Sequence, residues 1–115
     1  MEPEGILWVP QNKLFCANHS SNDITILDGI SNVKLGSIKT GLSPRYLVYD
    51  NYHNTIICTN IHDKSVTLVN PVTNRTSQIT HTQCYPEHIV WNPVNRKTYI
   101  ADRRGKVLWI LNTIQ

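Results

Sequence analysis

Apolar residues along the chain come in short runs, rich in Ile, Val, Thr, Tyr and Trp, with polar turn signals between them. The separators are Pro10-Gln11-Asn12, Ser20-Ser21-Asn22-Asp23, Asp28-Gly29, Asn70-Pro71, Asn92-Pro93 and Arg104-Gly105. Short β-branched and aromatic runs bounded by such residues predict strands, and no stretch carries the 3.6-residue period of an amphipathic helix. The chain reads as all-β.

The runs repeat. Leu14-Phe15-Cys16-Ala17-Asn18 is followed 42 residues later by Ile56-Ile57-Cys58-Thr59-Asn60, and then by Thr98-Tyr99-Ile100-Ala101-Asp102. The same offset links Ile24-Thr25-Ile26-Leu27-Asp28, Val66-Thr67-Leu68-Val69-Asn70 and Leu108-Trp109-Ile110-Leu111-Asn112. Pro44 and Pro86 each open a further run, Tyr46-Leu47-Val48-Tyr49 and His88-Ile89-Val90-Trp91. Ile6-Leu7-Trp8 fits that slot once a turn residue is deleted. A period of roughly 40–45 residues made of four short strands is the pattern of a β-propeller blade. In the middle repeat the strands fall near 46–50, 55–60, 65–70 and 75–80. Around the fourth strand, Leu35-Gly36-Ser37-Ile38 and Ser77-Gln78-Ile79-Thr80 align only with a one-residue slip. The third strand is apolar on both faces, Ile24 and Ile26 on one and Leu27 on the other. A sheet covered on both sides has that composition, and face-to-face packing of blades around an axis provides the cover.

The second strand, as Phe15-Cys16-Ala17-Asn18, Ile57-Cys58-Thr59-Asn60 and Tyr99-Ile100-Ala101-Asp102, resembles the Tyr-Val-Thr-Asn repeat of the YVTN family of β-propellers. Asn22 to Asp28 resembles that family's polar turn and following strand, and Gly41-Leu42-Ser43-Pro44 its Gly-x-x-Pro link. The resemblance covers nearly the whole chain. The departures are two cysteines at the Val position, Asp102 at the Asn position and Gln83 in place of the link glycine. The resemblance implies the propeller fold and is almost silent on function. It allows scaffolding or ligand-binding domains, exported and surface-layer proteins, and some cofactor-bearing oxidoreductases.

Length then changes the picture. At 42 per repeat, 115 residues make about 2.7 repeats: about 5–44, 45–86 and 87–115, the last without its fourth strand. Closed propellers take about four to eight blades. The chain is therefore read as a single partial propeller. Either it completes a ring by self-association as a homo-oligomer, or it belongs with neighbouring blades of a longer chain. Composition excludes little more. A hydrophobic fraction of 40% and a charged fraction of 17% do not suit a disordered chain. No apolar run reaches membrane-spanning length, and Met1 to Gly5 lacks the regions of a signal peptide. The compartment is not legible. A net charge of +3 falls short of a dedicated nucleic-acid binder.

Four residues at the start of the first strands are the best candidates for a ligand contact. Arg45-Tyr46 and Glu87-His88 occupy matching places after the linking prolines, where inner strands face the central channel. Opposite charges at matching places favour the plainer reading of Arg45 and Glu87 as an ion pair between blades. Arg96, Lys97, Arg103, Arg104 and Lys106 form the one basic cluster, and a nucleic-acid reading rests on it alone. Trp8, Tyr49 and Trp91 share one repeat position and are expected to pack between blades. Cys16 and Cys58 are equivalent, hence about a blade apart, and are expected as buried hydrophobes without a disulfide. His19 and His62-Asp63 lie in loops that could meet across adjacent blades. Asp28, Asp50, Asn70 and Asn112 end strands, where such side chains bond the local backbone. No nucleophile elbow, phosphate loop, zinc signature or kinase motif is present, and no cofactor is called for. The sequence thus favours a non-catalytic binding or scaffolding module, partnered first by its own copies or by further blades, with room for another protein partner. A structural assembly protein comes second and a propeller enzyme third.

Overall fold

The computed structural model describes residues 3–79, 85–102 and 108–111, and every element in them is a strand. The first sheet is a meander of β1 (Pro3–Val9), β2 (Lys13–Asn18), β3 (Asp23–Asp28) and β4 (Lys34–Lys39). The second repeats it with β5 (Pro44–Asp50), β6 (Thr55–Asn60), β7 (Ser65–Val69) and β8 (Thr76–Ile79). The third holds β9 (Pro86–Asn92), β10 (Lys97–Asp102) and β11 (Leu108–Leu111). All pairings are antiparallel, and β1, β5 and β9 are neighbours across the three sheets. These are blades set side by side with their first strands innermost.

The turns explain why the period is so regular. A residue with positive φ recurs at the same place in successive blades: Asn12, Asn54 and Arg96 before the second strand, Asn22 and Lys64 before the third, Asn32 and Asn74 before the fourth. Asn tolerates the left-handed region best among residues with a Cβ. Strand ends add side-chain caps. Asp28 accepts from the backbone N–H of Ile30 and Ser31, and Asn70 from Val72 and Thr73. After the first strand of their blades, Asp50 accepts from the N–H of Tyr52 and His53, and Asn92 from that of Val94. The repeated Asn of the second strand is structural too. Buried Asn18 donates to Asp23 and Thr25, and buried Asn60 to Ser65 and Thr67 at equivalent positions.

Strand limits differ slightly from expectation. β1 begins at Pro3, earlier than residue 5, and β5 at Pro44, earlier than 46. The one-residue slip of the fourth strand is a β-bulge. Ile26 pairs with Gly36 and Leu27 with Lys34, which leaves Leu35 as the extra residue.

Each blade has two faces. The forward face of the first blade, with Phe15, Ile24 and Ile26, packs on the backward face of the second, with Ile56, Cys58 and Val69. The forward face of the second, with Ile57, Val66 and Leu68, packs on Ile100 and Ile89 of the third. The middle blade is covered twice, and every residue of β6 and β7 is buried. Burying one such Ile, Leu or Val side chain contributes about 1.5–3 kcal/mol. The outer faces are open: Ile6 and Trp8 are 68% and 57% exposed, and Val90 and Ile110 are 60% and 47% exposed. Among the described residues no helix is long and apolar enough to cross a membrane.

Candidate functional site

The start of every inner strand carries the same irregularity. In β1 the pairing jumps between Pro3 and Gly5, in β5 between Pro44 and Leu47, and in β9 between Pro86 and His88. The prolines cannot donate to the ladder at these points. The bulges leave Glu4, Arg45 and Glu87 out of register with the neighbouring strand, and bulges of this kind re-aim side chains. The result is a row of alternating charge along one end of the inner strands. Arg45 Nη1 donates to Glu87 Oε1 at 2.8 Å, and Arg45 Nε stands 3.9 Å from Glu4 Oε1. The 3.9 Å contact is an ion pair without a hydrogen bond. All three side chains remain partly open to solvent.

The next position inward holds Gly5, Tyr46 and His88. Tyr46 and His88 stack at 5.2 Å with planes 27° apart, and the Arg45 guanidinium lies 5.2 Å from the Tyr46 ring. Gly5 takes no side chain there, because a Cβ would lie 2.1 Å from the Arg45 carbonyl oxygen. Beneath the row, buried Thr59 ties the blades together. Its hydroxyl contacts the Tyr46 backbone and lies 3.3 Å from the Glu87 carbonyl. The four expected residues therefore come together, and the charge partners Arg45 and Glu87 pair between blades. Glu4 joins them without having been singled out. Pro3-Glu4 stands 41 residues before Pro44-Arg45, one short of the period, which hid it.

The same end of the blades carries a second cluster. His19 and His62 meet edge to face across the first two blades at 5.7 Å. Ser43, at φ 58°, places Oγ 2.6 Å from His62 Nδ1. Asp63 accepts from the Leu42 backbone and from the Ser65 hydroxyl. Among the described residues no three potential ligands converge on a metal position.

The other candidates scatter. Arg96 and Lys97 sit at the start of β10; Arg103, Arg104 and Lys106 follow its far end and lie outside the described residues. Arg96 serves the left-handed turn position and stacks on Tyr52 at 3.7 Å. Its place one 42-residue period after Asn54, itself one period after Asn12, is the signal for that role. Tyr49 packs into the core of the first two blades, whereas Trp91 bonds Asn51 of the preceding blade and Trp8 is exposed. Cys58 is buried, and burial pushes its thiol up to about 12. Cys16 departs from expectation: it is only half-buried, with its thiol raised by partial burial, because the backward face of the first blade is open. Cys84 lies outside the described residues.

No family model matches the chain, and no curated protein matches it. Solved structures do. A hydrazine synthase structure of Kuenenia stuttgartiensis superposes with a TM-score of 0.85 at 19% identity, over 96% of this chain and 32% of that one. A chain of the mitotic checkpoint complex gives 0.81 at 12% identity, over 98% and 36%. Sqt1 of Saccharomyces cerevisiae gives 0.78 at 15% identity, over 98% and 31%. The chain spans about a third of the length of these structures. At such identities the likeness is one of fold, and the fold is that of β-propeller blades.

Proposed function

We propose that the chain is a non-catalytic binding module that meets a protein partner through the axial end of its inner strands. The carrying observation is the row Glu4, Arg45 and Glu87, re-aimed by three equivalent bulges. Bulges are retained where a side chain has to be aimed. Thr59 and the Tyr46–His88 stack give the row a rigid floor, which lowers the ordering cost of binding. The row carries two acids and one base, and Arg45 is already held by Glu87, so a basic side chain of the partner fits it best. Protein-complex propellers among the similar structures support this class of function. The three repeats act together as one partial propeller over 1–115. Its ring is completed by self-association or by blades of a longer chain.

The test is a titration of isotope-labelled chain with a pool of short Lys- and Arg-containing peptides, followed by amide shifts. Shifts centred on residues 4, 45–46 and 87–88, and lost in Glu87→Gln, are expected. Shifts elsewhere, or shifts that survive Glu87→Gln unchanged, overturn the assignment. A second reading, a structural protein whose blades chiefly mediate assembly, is favoured by the two open apolar faces.

A further inference from the structure

The two open faces are the two halves of a contact that the chain already makes twice. On the forward side, Val48, Ile57 and Leu68 of the covered second blade correspond to Val90, Tyr99 and Ile110 of the open third blade. On the backward side, Leu47, Tyr49 and Cys58 of the covered blade correspond to Ile6, Trp8 and Cys16 of the open first blade. Apolar positions match apolar positions, and forward has packed on backward at both existing junctions. Exposed apolar faces of this kind mark interaction surfaces.

We propose that a second copy of this chain covers both faces, its first blade on the forward face of the third and its third blade on the backward face of the first. This deepens the reading above, since it names what completes the ring that carries the axial row. Such a contact is head-to-tail, and head-to-tail contacts close into rings when the rotation permits. Three blades per chain make six with two copies, inside the range of about four to eight for closed propellers, whereas three copies would make nine. The axial row marks the seams. Within the chain it alternates Glu4, Arg45, Glu87. At each seam Glu87 of one copy meets Glu4 of the other, so two like charges face each other. Glu4→Gln should therefore tighten the dimer, by roughly two- to fivefold for an exposed pair, although it removes a contact to Arg45 within the chain.

Mass in solution tests the proposal. The chain should run at twice its 13.2 kDa. Ile6→Lys and Ile110→Asp, on opposite open faces, should each give monomers. Mixed in equal amounts they should dimerise again, because one seam joins two unaltered faces and the other pairs Lys with Asp. Cys58 staying unreactive to alkylation shows that each variant is folded. In the unsubstituted chain, Cys16 should lose reactivity as the dimer forms. A monomer at the highest soluble concentration, any mass other than two chains, or a dimer in which Cys16 stays reactive overturns the proposal. So does dissociation by only one of the two substitutions, which would mean like faces meeting. None of these outcomes touches the axial row, which peptide titration tests separately.

Discussion

Cys58 and Cys16 occupy the same place in the second and first blades, yet one is sealed and the other half-open. The local strand is alike in both: each cysteine faces a Thr on the third strand, Thr67 and Thr25. What differs is the neighbour. The second blade has a blade on either side, and the first has one. Burial in this fold is therefore set between blades more than within them, as expected where each repeat cannot bury its own faces.

The largest way to sharpen this comparison is to cut side chains on covered and open faces. Ile57→Ala, at a position buried between the second and third blades, should cost about 2–5 kcal/mol in denaturant unfolding. Ile6→Ala, on the open face of the dilute chain, should stay within about 0.5 kcal/mol. Equal costs would break the comparison. Glycines give the next contrast. Gly5→Ala drives a Cβ onto the Arg45 carbonyl and should cost about 1–3 kcal/mol, because the backbones of β1 and β5 must part. Gly36→Ala meets nothing within 4 Å and should be neutral or stabilising by up to about 1 kcal/mol.

The legible part of this molecule was whatever obeys the period. Strand number, blade order, the packing Asn18 and Asn60, and the pairing of Arg45 with Glu87 all follow from residues 42 apart. Glu4 was lost because one residue is missing between the first two inner strands, and because a bulge depends on register that sequence does not display. Arg96 stands out in the sequence by its charge, yet its spacing from Asn54 marks a left-handed turn. The half-exposure of Cys16 depends on what packs against the backward face of its blade, which no local pattern encodes.

Titration separates the blades further. Burial raises the Cys58 thiol from 9.0 to about 12. The unfolded chain therefore ionises first as pH rises, and the stability this thiol contributes, full below pH 9.0, is lost towards about 12. Cys58→Val should flatten that alkaline decline relative to the unsubstituted chain, and Cys16→Val should flatten it less. An equal change in both variants would contradict the burial difference. The smallest effect is expected at Asp28, whose carboxyl is held below the usual range by the N–H groups of Ser31 and Ile30. Its contribution is present above the ordinary carboxylate pKa and fades as pH falls through the lowered value. Asp28→Asn copies Asn70, so it should leave neutral-pH stability nearly unchanged and remove only that acid-side slope.

Alkylation of the two thiols across a dilution series, read by peptide mass, tests the central claim most directly. Cys58 should react slowly at every concentration, at a rate set by unfolding. Cys16 should react at least about a hundredfold faster in the dilute chain, since its exposure needs no opening of the core. As the chain is concentrated, its rate should fall towards that of Cys58. Two thiols that react alike at every dilution, or a Cys16 rate that ignores concentration, would contradict the account.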